Sequence, residues 1–175
     1  MRIEIRIGGL GGQGVVLAGQ IFGKAAVYSG KNAVQTQSYG AEARGSNAKS
    51  EIIISDDKIS FPMVRKCDVL VAMNQEAVDR NVKDLKEDGV LVVDISMVKN
   101  MPKIKAKVYS ISATEVAQKE FAQKLYANII MLGALAEIVR AIDDEAMEKA
   151  ITDSVPKNAV AANLEAYKTG KALVK

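Results

Sequence analysis

The sequence has no histidine, no tryptophan and a single cysteine, Cys67, among its 175 residues. A structural zinc site needs about four Cys or His ligands and a 4Fe–4S cluster needs about four thiolates, so this chain alone supplies neither. Without histidine, Ser-His-Asp and Cys-His catalysis lack their general base. We therefore expect no metal site and no catalytic residue here, and we expect any redox chemistry to reside on a bound cofactor or on another chain. A lone cysteine also makes no internal disulfide, which fits a reducing cytoplasm.

Charge and aromatic content argue against a nucleic-acid partner. Lys and Arg number 24 against 21 Asp and Glu, which gives a net charge of +3, and aromatic residues make up 5%. Nucleic-acid binding usually shows a basic cluster or a base-stacking platform, and neither is evident. Charges at every second position from Arg2 to Arg6 exclude a signal-peptide core, and the most apolar stretch, residues 125–142, contains Asn128, Glu137 and Arg140. We therefore expect a cytoplasmic protein without a membrane span.

The hydrophobic pattern predicts an α/β fold. Ile3, Ile5 and Ile7 alternate with charged residues, which is typical of a strand with one dry face. A glycine-rich turn, a helix over 15–28 and a strand over 31–37 complete a βαβ unit. Further strands are predicted at 51–55, 69–73, 90–94 and 107–111, and helices at 75–85, from a cap at Thr114 to about 142, at 144–152 and at 156–170. The sequence thus predicts one domain, residues 1–175, with a three-layer, Rossmann-like, mostly parallel sheet, helices on both faces and a helical C-terminal tail.

The turn after the first strand carries a phosphate-binding pattern. Gly9-Leu10-Gly11-Gly12-Gln13-Gly14 satisfies G-x-G-x-x-G. Glycine permits positive φ and close backbone approach, and the following helix N-terminus offers free N–H groups to a phosphate. The second strand ends Val34-Gln35-Thr36-Gln37-Ser38, however, without the acid that binds the ribose of NAD or an arginine for NADP. Dinucleotide binding is therefore disfavoured, and the turn either contacts another phosphate-bearing ligand or serves backbone packing and protein contact.

Other features leave alternatives open. Residues 38–50 are predicted as a long irregular loop at the ligand-binding edge of the sheet, in which Glu42 and Arg44 either pair or point apart. Asp94 ends a strand at that edge and either orients a neighbouring loop or acts as a cap. Cys67 is interpreted as a buried, unreactive thiol.

The first strand also has a polar face, formed by Arg2, Glu4 and Arg6. The central strand of a dinucleotide domain is apolar on both sides. Either this face is thinly covered, or its charges lie near a rim where a partner subunit packs, or they snorkel from the ends of a short strand.

Two loops together resemble a known family. The run Ile7-Gly8-Gly9-Leu10-Gly11-Gly12-Gln13-Gly14-Val15, followed by Gln37-Ser38-Tyr39-Gly40-Ala41-Glu42-Ala43-Arg44-Gly45, resembles the γ subunit of 2-oxoacid:ferredoxin oxidoreductases. Further similar runs cover essentially the whole chain in family order: 50–55, 67–72, 128–134 and 163–170. The glycine motif alone is a weak signal, but its pairing with the second loop at this spacing is specific. That loop is more similar to the 2-oxoglutarate type than to the pyruvate type, in which Met commonly precedes the arginine and a second Gly follows Gly45; Ala43 and Ser46 occupy those positions here.

The resemblance implies a cluster-free, non-catalytic subunit of an enzyme that converts a 2-oxoacid and the co-substrate CoA to acyl-CoA, CO₂ and reduced ferredoxin. Thiamine diphosphate, Mg²⁺ and iron–sulfur clusters are expected in α, β and ferredoxin-like partner subunits, and the isolated chain is expected to be inactive. The cleft-facing backbone, with CoA phosphate contact, is expected at Gly9, Gly11, Gly12, Gln13 and Gly14. The loop that docks on the catalytic chains and lines the path of CoA is expected at Tyr39, Gly40, Glu42, Arg44 and Gly45. We also expect the isolated chain to self-associate through its exposed partner-facing patch.

Two alternatives remain open. The chain is either a free-standing nucleotide-binding module without a catalytic partner, or the small subunit of an indolepyruvate:ferredoxin oxidoreductase. The loop from Tyr39 to Gly45 fits the second alternative less well.

Overall fold

The computed structural model describes residues 1–41 and 45–175, which form a six-stranded mixed sheet with helices on both faces. The strands are β1 (Arg2–Leu10), β2 (Asn32–Tyr39), β3 (Asn47–Ser55), β4 (Cys67–Ala72), β5 (Leu85–Asp94) and β6 (Lys107–Ile111). The helices are α1 (Val15–Tyr28), α2 (Gln75–Asn81), α3 (Ala113–Phe121), α4 (Ala127–Val139), α5 (Asp144–Ser154) and α6 (Val160–Ala172). Short 3₁₀ turns lie at Val82–Asp84, Lys124–Tyr126 and Lys157–Ala159. The predicted fold class is confirmed.

The strand order is β2-β3-β1-β4-β5-β6. β1, β4, β5 and β6 run parallel, whereas β3 is antiparallel to both β1 and β2. The predicted βαβ unit is present as β1-α1-β2, but β3 lies between its two strands. The prediction of a long loop over residues 38–50 is wrong in extent, because β2 continues to Tyr39 and β3 begins at Asn47. Polar residues pair across this hairpin, as Ser38 does with Lys49, and an apolar period does not reveal such pairs.

Two hydrophobic layers cover the two sides of the sheet. On one side Ile5 and Ile7 pack with α1, α3, α4, α5 and α6, and on the other side Leu70 and Leu91 pack with α2 and the segments beside it. The alternation that predicted β1 therefore separates the larger layer from a smaller one. Among the residues described, no helix is long and apolar enough to cross a membrane.

The smaller layer contains a buried arginine that the sequence alternatives did not anticipate. Arg6 is 3% exposed. Its guanidinium donates to Glu51 Oε1 (2.9 Å), to Asp84 Oδ2 (2.7 Å) and to the carbonyl oxygen of Val64 (3.2 Å). None of the three predicted explanations holds for Arg6, because its charge is covered and paired inside the fold. Arg2 does lie at the surface, where it pairs with Glu4.

The predicted long helix from Thr114 to about residue 142 is two helices. α3 ends where Ala122 adopts a left-handed conformation (φ 56°), and α4 ends at Arg140 in the same conformation (φ 49°). Thr114 is not the cap. Instead, its N–H and hydroxyl both donate to Asp94 Oδ2, at 3.1 and 2.5 Å.

Asp94 therefore binds the first turn of α3. It is fully buried and also accepts a hydrogen bond from the N–H of Ser96 (3.1 Å). Desolvation raises the pKa of this carboxyl, although the hydrogen bonds from Thr114 and Ser96 lower it. The residue ties the end of β5 both to the loop that follows it and to the start of α3, so both roles that the sequence left open are observed.

Candidate functional site

The two loops that the sequence singled out meet at one edge of the sheet. We call residues 11–14 the glycine turn and the described residues 40, 41, 45 and 46 the hairpin tip. The N–H of Gly11 donates to the carbonyl oxygen of Ser46 at 2.8 Å, and the N–H of Gly40 donates to that of Asn47 at 2.7 Å. Because β1 and β2 both end at this edge, the glycine turn and the hairpin tip form one surface.

Gln13 holds the glycine turn together from within. Its side-chain Oε1 accepts from the N–H of Leu10 at 2.7 Å, and its Nε2 donates to the carbonyl oxygen of Met73 at 3.3 Å. Gly9 is buried in β1, where an added Cβ would lie 2.8 Å from both Gln13 Oε1 and Val15 Cγ2. Two of the predicted contact residues, Gly9 and Gln13, thus pack the turn against the sheet.

Gly11 and Gly12 present the backbone of the turn to solvent. Both are exposed. Gly12 has φ 89° and would have nothing within 4 Å of an added Cβ, so its conformation alone demands glycine there. Gly11 has no positive φ, and its Cβ would make an ordinary contact of 3.5 Å with the carbonyl oxygen of Ser46. An alanine at Gly11 would therefore fit the chain while projecting from the surface.

The N-terminus of α1 lies directly behind this surface. Gly14 is its N-cap with φ 73°, and the helix has no side-chain cap and no acidic residue in its first turn. A helix start of this kind carries uncompensated positive partial charge, which favours an anion. A Cβ at Gly14 would overlap the Asn128 side chain, whose Nδ2 donates to the Gly14 carbonyl oxygen at 3.2 Å. The glycine pattern therefore also serves the packing of α4 on the turn.

The hairpin tip is anchored on both sides. Asn47, next to the tip, donates through Nδ2 to Glu76 Oε1 of α2 at 3.0 Å, and Glu76 also binds Arg80. The hydrogen bonds from Asn47 and then Arg80 lower the pKa of Glu76. Of the predicted loop residues, Tyr39 is 60% exposed and Gly45 has φ 62°. The predicted positions Glu42 and Arg44 lie outside the described residues.

An apolar groove opens on the α1 side of the hairpin. It has a volume of about 570 Å³ and is lined by the glycine turn, the first turn of α1, Tyr39 and segments next to α4 and α6. The lining includes Leu125, which is 61% exposed, and the amides Gln123, Asn128 and Asn163, and none of the described residues that line it is Lys, Arg, Asp or Glu. The groove therefore fits a neutral, partly apolar ligand segment that also carries hydrogen-bonding groups.

A polar groove lies on the other side of the hairpin. Its volume is about 470 Å³, and Tyr39 lines both grooves. The cations Lys49, Arg80 and Lys83 line it together with Asp79 and Asp84. Asp84 is already paired with the buried Arg6, and Arg80 is already paired with Glu76. These two charges therefore already form ion pairs within the fold.

The helical segments beyond residue 120 are the part of the site that sequence reasoning missed. Asn128, Leu125 and Tyr126 reach the glycine turn although more than 100 residues separate them from it in the chain. The sequence signal for Asn128 was that it is the single amide side chain within the apolar run of α4. Leu125 and Tyr126 gave no comparable signal.

Cys67 lies away from this edge, at the start of β4. It is fully buried, and burial raises the pKa of its thiol to about 11. No group of three or more His, Cys, Asp or Glu side chains in residues 1–41 and 45–175 is placed to hold a metal ion. What the described edge can do is bind, through backbone N–H groups, amides and apolar surface.

Comparison with known proteins gives consistent matches over the whole chain. The family described as "Pyruvate ferredoxin/flavodoxin oxidoreductase" matches residues 4–173. The 2-oxoglutarate synthase subunit KorC of Methanocaldococcus jannaschii is 49% identical, over 100% of this chain and 95% of the relative. Among solved structures, the γ subunit of a keto/oxoacid ferredoxin oxidoreductase from Geobacter sulfurreducens is 42% identical with a TM-score of 0.88, over 98% of this chain and 97% of that one.

A longer protein also contains this fold. The 2-oxoglutarate:ferredoxin oxidoreductase of Magnetococcus marinus, solved with 2-oxoglutarate, coenzyme A and succinyl-CoA bound, matches with a TM-score of 0.90 and 28% identity. The match covers 98% of this chain and 31% of that one. The fold of this chain therefore corresponds to about a third of the longer protein.

Proposed function

Because this chain belongs to the pyruvate ferredoxin/flavodoxin oxidoreductase family, we propose that it is the γ-type subunit of a 2-oxoglutarate:ferredoxin oxidoreductase. The assembled enzyme converts 2-oxoglutarate and CoA to succinyl-CoA and CO₂, and the two electrons released reduce ferredoxin. In this proposal thiamine diphosphate, Mg²⁺ and the iron–sulfur clusters reside on α, β and ferredoxin-like partner chains, and ferredoxin is the electron acceptor. This chain supplies a binding surface and no acid–base or covalent step.

The observation that carries the role of this chain is the joining of the glycine turn to the hairpin tip. The Gly11–Ser46 hydrogen bond holds together two loops whose pairing in sequence resembles the family. The Asn47–Glu76 contact fixes the far side of the tip. The result is a supported edge with exposed Tyr39 and Leu125 at its apolar groove, which is the character of a surface that packs against another protein.

The substrate assignment is supported by the relatives. The 49% identical relative is named for 2-oxoglutarate, and the Magnetococcus structure contains that acid and its CoA product. Within the resemblance, Ala43 in the place of the Met that is common in the pyruvate type also favours the 2-oxoglutarate type. Glu42 and Arg44 are assigned to the docking loop only because of the resemblance to the family.

The fit of CoA to this edge can be judged from the two parts of that molecule. Its phosphates suit the exposed backbone of Gly12 and the uncapped start of α1. The N–H of Gly11 is already donated to Ser46, so Gly11 contributes close approach, because it has no side chain. Its pantetheine arm is neutral, partly apolar and contains two amides, which suits the adjoining groove with Gln123 and Asn163. We therefore assign CoA contact to Gly11, Gly12 and Gly14, with Gly9 and Gln13 as the packing that positions them.

The subunit role is tested by reconstitution. The partner chains encoded in the same source are co-expressed with and without this chain, and 2-oxoglutarate-dependent reduction of ferredoxin is measured in the presence of CoA. We expect activity with 2-oxoglutarate to exceed that with pyruvate or indolepyruvate, and to be lost when this chain is omitted. Full activity without it contradicts the proposal, and a preference for indolepyruvate would assign the chain to that relative instead.

The docking loop has its own test in the same system. Arg44→Ala should reduce recovery of the complex or its turnover, with Arg65→Ala, on a different loop, as the control. Equal assembly and equal turnover for the two variants would show that the loop assignment is wrong.

The CoA contact is tested with two matched glycines at opposite ends of α1. Gly12 and Gly30 both have positive φ (89° and 78°), and neither has an atom within 4 Å of an added Cβ. Replacing either with Ala therefore costs a similar backbone strain of about 1 to 2 kcal/mol. In the assembled enzyme we expect Gly12→Ala to raise the KM for CoA while Gly30→Ala does not. An unchanged KM for CoA in both variants removes the phosphate contact and leaves the subunit role standing.

A further inference from the structure

β2 is an edge strand without the usual protection against pairing. Its eight residues, Asn32–Tyr39, include no charge and no proline, and its pairing with β3 runs in one unbroken register. Within residues 1–41 and 45–175 it packs mainly on β3 and α1, and these leave its outer edge and its other face open. Natural proteins usually blunt such an edge with lysine, proline, a bulge or a short length.

The opposite edge of the same sheet is protected in just these ways. β6 has only five residues and begins with Lys107. The C-terminal residues Leu173 and Lys175 lie beside it, lining one cavity with Val108 and Ser112. The contrast between the two edges indicates that β2 is kept uncharged because it pairs with another strand.

The backbone groups that β2 offers follow from its pairing with β3. The N–H of Gly40 donates to the carbonyl oxygen of Asn47, so this pair is hydrogen-bonded. Hydrogen-bonded and non-hydrogen-bonded pairs alternate along an antiparallel ladder. The residues Ala33, Gln35, Gln37 and Tyr39 therefore direct their backbone N–H and C=O groups outward.

We propose that β2 pairs with β2 of a second copy of this chain, antiparallel and about a two-fold axis at Thr36. This register uses every outward residue, because Ala33 faces Tyr39 and Gln35 faces Gln37, and it forms about eight hydrogen bonds between the strands. The side chains are complementary. The large ring of Tyr39 lies beside the small methyl group of Ala33, the amides of the two glutamines face each other, and Thr36 faces its own copy. No like charges oppose each other along the paired strands, so the strand accepts a copy of itself.

The pairing leaves the glycine turn and the hairpin tip free, and of the residues assigned to the functional edge it uses Tyr39 alone. In an antiparallel two-fold arrangement the carboxyl ends of the two β1 strands point in opposite directions. Each glycine turn and each hairpin tip then remains available to a different set of catalytic chains. The inference does not rest on the proposed function, because it concerns the full chain on its own.

Proline at Gln37 tests the pairing without breaking the fold. The N–H of Gln37 points outward and its side chain is exposed, so proline removes one outward donor and no internal hydrogen bond. The matched control is Gln37→Ala, which removes the same side chain and keeps the N–H. By light scattering and sedimentation equilibrium we expect the wild type and Gln37→Ala to have twice the 18.8 kDa chain mass. Gln37→Pro loses two hydrogen bonds per dimer, so its dimer should dissociate roughly thirtyfold more readily.

A charge exchange at Thr36 tests the register. Thr36 is exposed, and the proposed axis places the two copies of this side chain directly opposite each other. Thr36→Lys alone and Thr36→Glu alone should each weaken the dimer, by roughly fivefold. An equimolar mixture of the two variants should recover it, because Lys then faces Glu. Recovery in the mixture does not depend on how proline affects folding.

Three outcomes would overturn the proposal. One is a monomeric wild-type chain at a concentration of 0.5 mM, a generous upper limit (about 10 g/L) for a specific dimer. Another is a dimer that Gln37→Pro leaves as tight as Gln37→Ala does. The third is a pair of Thr36 variants whose mixture associates no better than either alone.

Discussion

The contact between α4 and α6 depends on two glycines, and Gly170→Ala probes it directly. A Cβ built at Gly170 would overlap the carbonyl oxygen of Ile130, with the carbonyl carbon at 2.7 Å and the Cα at 3.0 Å. One built at Gly133 would likewise overlap the carbonyl oxygen of Tyr167. These obstacles are backbone atoms of the facing helix, so no side-chain rotation relieves them. A methyl group at either position forces the helices apart.

The expected cost follows from two opposing terms. Alanine in place of glycine within a helix contributes about 0.5 to 1 kcal/mol of stability. Overpacking a close contact costs about 1 to 3 kcal/mol, and a shift of backbone lies at the upper end of that range. We therefore expect Gly170→Ala to lower the free energy of unfolding by about 2 kcal/mol and the Tm by roughly 4 to 8 °C.

The chain provides a matched control in Gly23. It is also a buried glycine within a helix, but its Cβ would meet only Gln35 Cβ at an ordinary 3.7 Å. Gly23→Ala should therefore be neutral or stabilising. Urea unfolding followed by far-UV circular dichroism gives both midpoints. If Gly170→Ala were as stable as Gly23→Ala, the close approach of α4 and α6 would be refuted, and with it the placing of Asn128 and Asn163 along one groove.

Three further predictions concern buried or paired ionisable groups. Arg6→Met leaves Glu51 and Asp84 without their shared partner, so it should lower the free energy of unfolding in urea by about 3 kcal/mol. This is the lower end of the range for a broken buried pair, because Asp84 is partly exposed. An unchanged free energy of unfolding contradicts the buried network. Burial raises the pKa of the Cys67 thiol to about 11, so a thiol reagent at pH 8 should label the native protein only as fast as it unfolds, and immediate labelling would contradict this. Lys31 and the N-terminal ammonium lower the pKa of Asp56 to about 2 from 3.8, so its contribution to stability is complete above about pH 4 and is lost as the pH falls towards 2. Asp56→Asn should flatten that part of the stability curve, and identical slopes for variant and wild type between pH 2 and 4 would exclude the pairing.

Local patterns predicted the elements well where one face of an element is apolar. The alternation of Ile3, Ile5 and Ile7 predicted β1 and its dry face, and the apolar run before Asp94 predicted the buried part of β5. The strands at 31–37 and 51–55 were predicted, but their extension through residues 38–39 and 47–50 was missed, because these residues are mostly polar and their cross-strand pairing leaves no apolar period in the sequence. The break between α3 and α4 was missed because it occurs at Ala122. Alanine rarely adopts a left-handed conformation, so its chemistry does not predict a helix end there.

The sequence predicted the backbone turn of the site but not the side chains that line its groove. Glycines at 11, 12 and 14 indicate a turn on chemical grounds, since two of them need positive φ. Asn128, Leu125 and Pro156 join the groove only through tertiary packing, which sequence periodicity does not describe. Arg6 could not be assigned either, because its partners Glu51 and Asp84 are 45 and 78 residues away.

The inserted strand explains why a dinucleotide pattern occurs here without its usual acidic residue. In a dinucleotide-binding fold the acid at the end of the second strand lies next to the glycine turn, because that strand pairs with the first. Here β3 separates β1 from β2, which places the end of β2 roughly 10 Å from β1. An acid at Gln37 or Ser38 would therefore be one strand too far from a ribose bound at the turn. Packing on Gln13 and Asn128 accounts for Gly9 and Gly14, and positive φ accounts for Gly12, so the glycine that remains to be explained by a ligand or a partner is the exposed Gly11.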